Sequence, residues 1–366
     1  MPRRNAVFSA VFLGISFILI ACISMRYTSA LETARQTVGA ADAPEPAIEE
    51  SFDIWEDNPE DFYALLGGPF RAGEPVTMIF LPAASADSER YAGMKAVMSN
   101  KGGRRLVAAA FFDWRLDDEG HKVKTCVFAV PSTFDGGEAV ITIDGVPGRE
   151  AGDISFEIRL DGRNFTSEEI RLNPGNTALR TVPDPKKTAE SERLWSIISR
   201  YGGTVYTEGP FTPPVAADTR RTSFFGDRRV FRYSSGNSDT AVHAGIDYGV
   251  PTGTPVAACA GGLVALAGER IVTGNSVIIE HLPGVYSIYY HLEKVFAEEG
   301  ALVEQGDVIG LSGATGLATG PHLHWELRAA TENMDPDAVC ARPLLDTDAA
   351  LKLINERGEL YAQLSR

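Results

Sequence analysis

Short apolar runs divided by Gly, Asp and Pro dominate the chain from about Gly68 to Arg180: Val76-Thr-Met-Ile-Phe-Leu81, Val107 to Phe112, Val123 to Val130, Ala139 to Ile143 and Ile154 to Leu160. Runs of this length and punctuation predict strands, and their spacing predicts a β-sandwich of immunoglobulin-like type. The period changes between Thr188 and Arg200, where Leu194, Ile197 and Ile198 recur at helical spacing ahead of a Gly202-Gly203 stop. That segment predicts a linker helix packed through one apolar face. Glycine-bounded strand patterns follow in Gly253-Thr-Pro-Val256, Gly261-Gly-Leu-Val264, Gly300-Ala-Leu-Val303 and Gly306-Asp-Val-Ile-Gly310. They predict an antiparallel meander, so the expected fold class is mainly β throughout. Asp346 to Gln363 reads as an amphipathic helix interrupted near Gly358.

The first sixty residues follow neither pattern. Met1-Pro-Arg-Arg-Asn is a short basic segment ahead of an apolar run from Ala6 to Ala21 and then Cys22. Leu19-Ile20-Ala21-Cys22 fits a bacterial lipoprotein signal, in which the cysteine becomes the lipidated N-terminus. An uncleaved signal anchor is one alternative, because the apolar stretch continues to Met25 and approaches the ~20 residues that span a bilayer. Cleavage near Ala30 is the other. Each places the rest of the chain in the cell envelope, facing the periplasm or wall. Residues 42 to 61 then carry nine carboxylates and no Lys or Arg, with Pro44, Pro46 and Pro59 interspersed. Such a stretch is expected to be a self-repelling, extended tether.

Length and charge narrow the classes. With 366 residues and 44% hydrophobic content, two packed domains plus an export segment are expected. A net charge of −15 with no offsetting basic stripe excludes nucleic acid as a partner. Besides Cys22 there are Cys126, Cys259 and Cys340, with no C-x-x-C. A Cys259–Cys340 disulfide and buried free thiols both remain open.

The chemistry concentrates in the C-terminal third. Five of the six histidines fall between His243 and His324, where a uniform scatter would place about one. His243 and Asp247 form H-x-x-x-D, His291 stands alone, and His322 and His324 form H-x-H. The alternation after Gly320-Pro321 predicts a strand, which turns His322 and His324 to one face. Gly245, Gly249 and Pro251 break any helical period around His243, so that motif reads as strand to loop rather than a helical H-E-x-x-H. Imidazole and carboxylate are zinc ligands, and a catalytic zinc keeps three protein ligands and one open position. A structural zinc would complete four and lean on Cys. A packing role explains the set poorly, since H-x-H aims two polar rings at one face without packing benefit. His121 and His281 read as ordinary, satisfied histidines.

In this order the residues resemble the lysostaphin-type (LytM-like) zinc metallopeptidases, peptidoglycan endopeptidases with a duplicated hybrid motif fold. The resemblance rests on H-A-G-I-D-Y-G-V-P-T-G-T-P-V-A-A at His243 to Ala258, Y-S-I-Y-Y-H-L at Tyr286 to Leu292, G-D-V-I-G at Gly306 to Gly310 and T-G-P-H-L-H-W-E at Thr319 to Glu326. It covers about Thr222 to Arg328. Lipoyl and biotinyl carriers use similar Gly-Val hairpins but need a lysine at a hairpin tip, and none lies between Val256 and Ile279.

The resemblance implies His243, Asp247 and His324 as ligands of one zinc per chain. It implies His291 and His322 as the catalytic pair beside the open position, handling the attacking water and the developing oxyanion. It also implies peptidoglycan as substrate and a groove across the sheet walled by Gly268 to Gly274 and Gly313 to Thr319.

The expected organisation is 1–25 signal peptide or membrane anchor, 26–67 acidic linker and 68–185 β-sandwich. It continues with 186–221 linker helix and connector, 222–345 LytM-like metallopeptidase and 346–366 helical tail. All five site residues lie beyond Thr188, so a fragment starting there is expected to retain activity. The competing reading is a non-catalytic relative that binds or activates another wall hydrolase.

Overall fold

The computed structural model describes residues 52–58, 62–67, 70–82, 91–116, 122–348 and 350–351. The predicted signal at Cys22, His121 and the helical tail beyond Leu351 lie outside the described residues. The first nine strands are β1 (Phe52–Asn58), β2 (Phe62–Gly67), β3 (Pro75–Pro82), β4 (Lys95–Asn100), β5 (Arg105–Ala110), β6 (Phe112–Arg115), β7 (Lys122–Ala129), β8 (Gly137–Asp144) and β9 (Ile154–Leu160). They form two sheets, in the orders β1-β2-β3-β7-β6 and β5-β4-β8-β9. Every pairing in both is antiparallel.

Alternate residues of β3 and β7 enter different cores. Met78, Phe80 and Phe128 join Met98, Ile141 and Phe156 between the two sheets. Ile79, Leu81 and Val127, with Trp114 of β6, join the core of the C-terminal part. A sheet buried on both faces calls for near-continuous apolar runs, which Met78 to Leu81 and Cys126 to Val130 supply. By contrast, β8 and β9 alternate buried and exposed positions, as a sheet with one wet face does.

Two expectations change here. Phe52–Asn58 and Phe62–Gly67, placed in an acidic tether by composition, instead pair with each other and extend the sheet from β3. Net charge governs an isolated chain, whereas β3 offers backbone donors and acceptors that a strand of any charge satisfies. The sandwich-side residues Ser167–Arg171 form β10, which pairs in parallel with β12 (Arg228–Arg232), itself paired with β13 (Ser238–Val242). A fragment starting at Thr188 lacks β10 and uncovers the apolar face that Trp114 and Leu81 share with the C-terminal core.

After α1 (Pro174–Thr181), α2 spans Pro185–Ile198, capped by the Asp184 side chain on the Lys186 N–H with Pro185 in its first turn. It ends before Gly202-Gly203, and Ile197 and Ile198 pack on Leu266, Ile278, Tyr286 and Ile288. Each buried isoleucine contributes about 1.5–3 kcal/mol.

The remaining strands are β11 (Arg221–Ser223), β14 (Gly245–Tyr248), β15 (Pro255–Ala257), β16 (Gly262–Arg270), β17 (Gly274–Leu282), β18 (Val285–Val295), β19 (Leu302–Val303), β20 (Val308–Ser312), β21 (Leu323–Ala329) and β22 (Glu332–Met334). They make one sheet with the path β11-β14-β21-β18-β17-β16-β19, to which β15, β20 and β22 attach, and α3 (Pro336–Ala341) follows. Its one face joins the large core through Trp325, Tyr289 and Ile246. The other is covered by α2 at one end and carries the groove at the other. All three described cysteines are free thiols. No helix among the described residues is long and apolar enough to cross a membrane.

Candidate metal centre

Strand register brings the dispersed motifs together. Asp247 of β14 lies directly opposite His324 of β21, and Tyr290 of β18 lies opposite His324 on the other side. The close approach of β14 requires Gly245, where a Cβ would sit 2.0 Å from the Trp325 carbonyl oxygen. His243 is held by backbone bonds to the turn at Gly226 and Asp227. His322 sits in a bridge to Gly313 just before β21.

His291 arrives by a different device. Its φ is +62°, a left-handed conformation that costs a non-glycine residue about 1–3 kcal/mol. At that point β18 passes from pairing with β21 to pairing with β20, and its register against β17 shifts. The irregularity re-aims one side chain, as bulges beside active sites do. His291 N–H donates to the Thr273 carbonyl, tying the groove wall to it.

Three ligand-type atoms converge. His243 Nε2 lies 3.1 Å from Asp247 Oδ1 and 3.0 Å from His324 Nδ1, and the last two are 2.7 Å apart. These three residues form a buried group of the size that holds a metal ion. Behind them the opposite atoms are engaged. His243 Nδ1 meets the Phe224 carbonyl at 2.8 Å, His324 Nε2 meets Glu326 Oε1 at 2.9 Å, and Asp247 Oδ2 accepts from Arg229 at 2.6 Å. The Phe224 carbonyl and Glu326 accept from the two rings, so in the neutral imidazole the proton sits on the outer nitrogen and a lone pair faces inward. Three lone pairs facing one another repel unless a cation or proton lies among them. The donor set therefore fits a divalent metal, and imidazole with carboxylate suits zinc.

The electrostatics agree. Burial opposes the charge on His324, but Asp247 and Glu326 outweigh it and raise its pKa to about 9. Asp247 is held well below the usual carboxylate range against its burial, by the charges of His324 and His243. Burial lowers His243. Glu326 falls to about 2 despite burial because Arg328 and His324 hold it charged.

His291 and His322 stand beside this cluster with ring centroids 4.7 Å apart. His291 Nδ1 donates to the Thr315 carbonyl at 2.8 Å and His322 Nδ1 to the Gly320 carbonyl at 2.9 Å, which leaves both Nε2 atoms free. Burial, then the neighbouring His322 and His324 charges, lowers His291 to about 3. His322 Nε2 is 3.9 Å from Asp247 Oδ1. All five residues picked out by spacing thus meet in one place, and four of them line a groove of about 640 Å³ between walls that include Val272, Thr273, Leu317 and Thr319.

Several supporting residues escaped sequence reasoning. Glu326 was legible, since position i+2 of a strand shares the face of His324. Glu168 carried no signal, because it approaches from the separate strand β10.

Comparison with known proteins follows the same outline. The model for peptidase family M23 matches residues 241–336. The DD-carboxypeptidase/endopeptidase Mpg of Neisseria meningitidis serogroup B is 38% identical over 138 residues, 38% of this chain and 31% of that protein. The peptidoglycan DD-endopeptidase ShyA of Vibrio cholerae is 40% identical over 114 residues, 31% of this chain and 26% of that one. The chain thus spans about a third or less of these relatives' lengths. A solved Pseudomonas aeruginosa structure described as an M23 peptidase covers 75% of this chain and 95% of its own, with TM-score 0.50 and 22% identity. That likeness concerns the fold alone.

Proposed function

From a chain that contains a peptidase family M23 domain over residues 241–336, we propose a zinc-dependent endopeptidase that hydrolyses peptide bonds in peptidoglycan stem peptides or cross-bridges. The observation that carries this reading is the convergence of His243 Nε2, Asp247 Oδ1 and His324 Nδ1 within 2.7–3.1 Å on a groove floor. These three side chains would hold one zinc per chain, and the metal would supply Lewis-acid chemistry there, activating a water and polarising a carbonyl oxygen. The outer partners Phe224, Glu326 and Arg229 keep the ligand atoms aimed inward.

The free Nε2 atoms of His291 and His322 face the groove as acid-base groups. Between them they take the proton from the attacking water, stabilise the developing oxyanion and return the proton to the leaving amine. Their Nδ1 bonds to backbone carbonyls fix each ring, so little reorganisation accompanies the proton transfer. A peptidoglycan peptide is the substrate class that the name of the Vibrio cholerae relative points to.

The N-terminal sheets are proposed as an immunoglobulin-like module acting as spacer or wall-binding element. Anchoring through Cys22 places the protein on the outer side of a membrane. Absence of fatty-acid labelling at Cys22 would remove the lipid anchor from this reading.

The test is metal content together with muropeptide release from purified sacculi by the full chain. About one zinc per chain and new peptide ends, both abolished by a chelator and restored by zinc, are expected. Zinc binding with retention on sacculi but no released peptide favours a non-catalytic regulator instead.

A further inference from the structure

One carboxylate outside the matched region touches the supports of two ligands. Glu168 Oε1, on β10, accepts from Arg229 Nε at 2.5 Å and from the Ser223 hydroxyl at 2.9 Å. Arg229 in turn donates its second nitrogen to Asp247 Oδ2 at 2.6 Å. Ser223 Oγ lies 3.2 Å from His243 Nδ1. Two chains of contact therefore run from one side chain to Asp247 and to His243. Neither passes through residues 241–336 before it reaches the ligand.

Resting on the zinc reading above, we propose that Glu168 is a positioning residue of the metal centre, and that β10 is part of the peptidase's functional unit. The physical reason lies in what Arg229 does alone. A guanidinium on the outer oxygen of Asp247 keeps Oδ1 turned toward His243 and His324, but an arginine has several rotamers and its own positive charge disfavours a nearby metal cation. Glu168 pins the guanidinium through Nε, leaving the other nitrogen for Asp247. Glu168 at 2.9 Å and Asp227 at 3.2 Å both draw the single Ser223 hydroxyl proton, so Ser223 turns lone pairs to His243 Nδ1–H, and Glu168 is the nearer of the two acceptors. The parallel pairing of Glu168 with Arg229 across β10 and β12 sets this geometry in the backbone.

Three variants of the full chain test it: Glu168→Ala, Glu168→Gln and Arg229→Met. Zinc affinity is measured by chelator competition, and the unfolding midpoint of each metal-free protein is recorded alongside. Glu168→Ala is expected to weaken zinc binding by about 10–100-fold, the scale of a lost outer partner. Glu168→Gln, which keeps an oxygen for both Arg229 and Ser223, should stay within a few-fold of wild type. Arg229→Met should weaken binding at least as much as Glu168→Ala, because Arg229 is the group that touches Asp247.

The proposal is overturned if Glu168→Ala binds zinc as tightly as wild type, whatever its unfolding midpoint, because β10 is then structural only. It is overturned equally if Glu168→Gln falls as far as Glu168→Ala, since restored acceptor contacts then do not hold the ligands. A wild-type chain that binds no zinc overturns the metal reading itself and this inference with it, a result distinct from the other two.

Discussion

The C-terminal sheet buries histidines on both faces, and the two faces make different uses of the same side chain. On the core face His281 Nδ1 meets the Gly261 carbonyl at 2.8 Å, and its Nε2 lies 2.7 Å from Ser287 Oγ. Ser287 contacts the Tyr289 hydroxyl, which accepts from the Cys259 N–H at 2.9 Å. Both ring nitrogens of His281 therefore have partners within the core. On the groove face, His324, His243 and Asp247 point three acceptors at one another. Both His281 and His324 are buried and both are shifted, so neither burial nor perturbation separates them. The sign does: burial lowers His281 to about 4, whereas surrounding carboxylates raise His324 to about 9. A closed network excludes a cation, and a convergence of lone pairs asks for one.

The sharpest way to break this comparison is to remove one ligand. Replacing His243, Asp247 or His324 by Ala should take zinc content and sacculus hydrolysis to background together. His281→Ala should leave zinc near one per chain and instead lower stability by about 1–3 kcal/mol, through the partners it leaves unsatisfied. Loss of zinc in His281→Ala would erase the distinction between the two faces.

Next in size are the two groove histidines that are not counted as ligands. His291→Ala and His322→Ala should keep zinc while turnover falls by roughly 10²-fold or more each. The double variant should fall by much less than the product, because both act on one water and one oxyanion. If His322→Ala loses zinc as completely as His324→Ala, then His322 is a fourth ligand.

The smallest effect sharpens the comparison through pH. The folded chain refuses a proton on His281 until about pH 4, while the unfolded chain accepts one near 6.5. The unfolded state therefore binds more protons between those values, and stability is lost as pH falls through that window. This contributes at most about 3 kcal/mol. In denaturant titrations, His281→Gln should flatten the fall between pH 6.5 and 4. An unchanged slope would show that His281 is not held neutral by its network.

Much of this was legible before any fold was known, for identifiable reasons. H-x-H on a strand shares a face because the strand period is two. The helix at Pro185–Ile198 was visible from Leu194, Ile197 and Ile198, though its start was not, since Asp184 and Pro185 act by capping rather than by period. The apolar runs Met78 to Leu81 in β3 and Cys126 to Ala129 in β7 carried a hint that went unread. A sheet apolar on both sides implies a second layer, and that layer is the C-terminal core. The strand at Phe52–Asn58 was hidden by its charge, and Phe62–Gly67 by its place directly behind that acidic stretch.

By itself, the sequence determined the residue types that gather at the groove, the β character of both halves and the local turns. Spacing, period and side-chain chemistry act within a few residues and need no fold to operate. Only the tertiary structure decided that His243 and Asp247 lie against His324, that His291 turns inward at a strained residue, and that Glu168 and Arg229 stand behind the ligands. Those facts depend on register between strands far apart in the chain, and a one-residue slip would send each of those side chains to the opposite face.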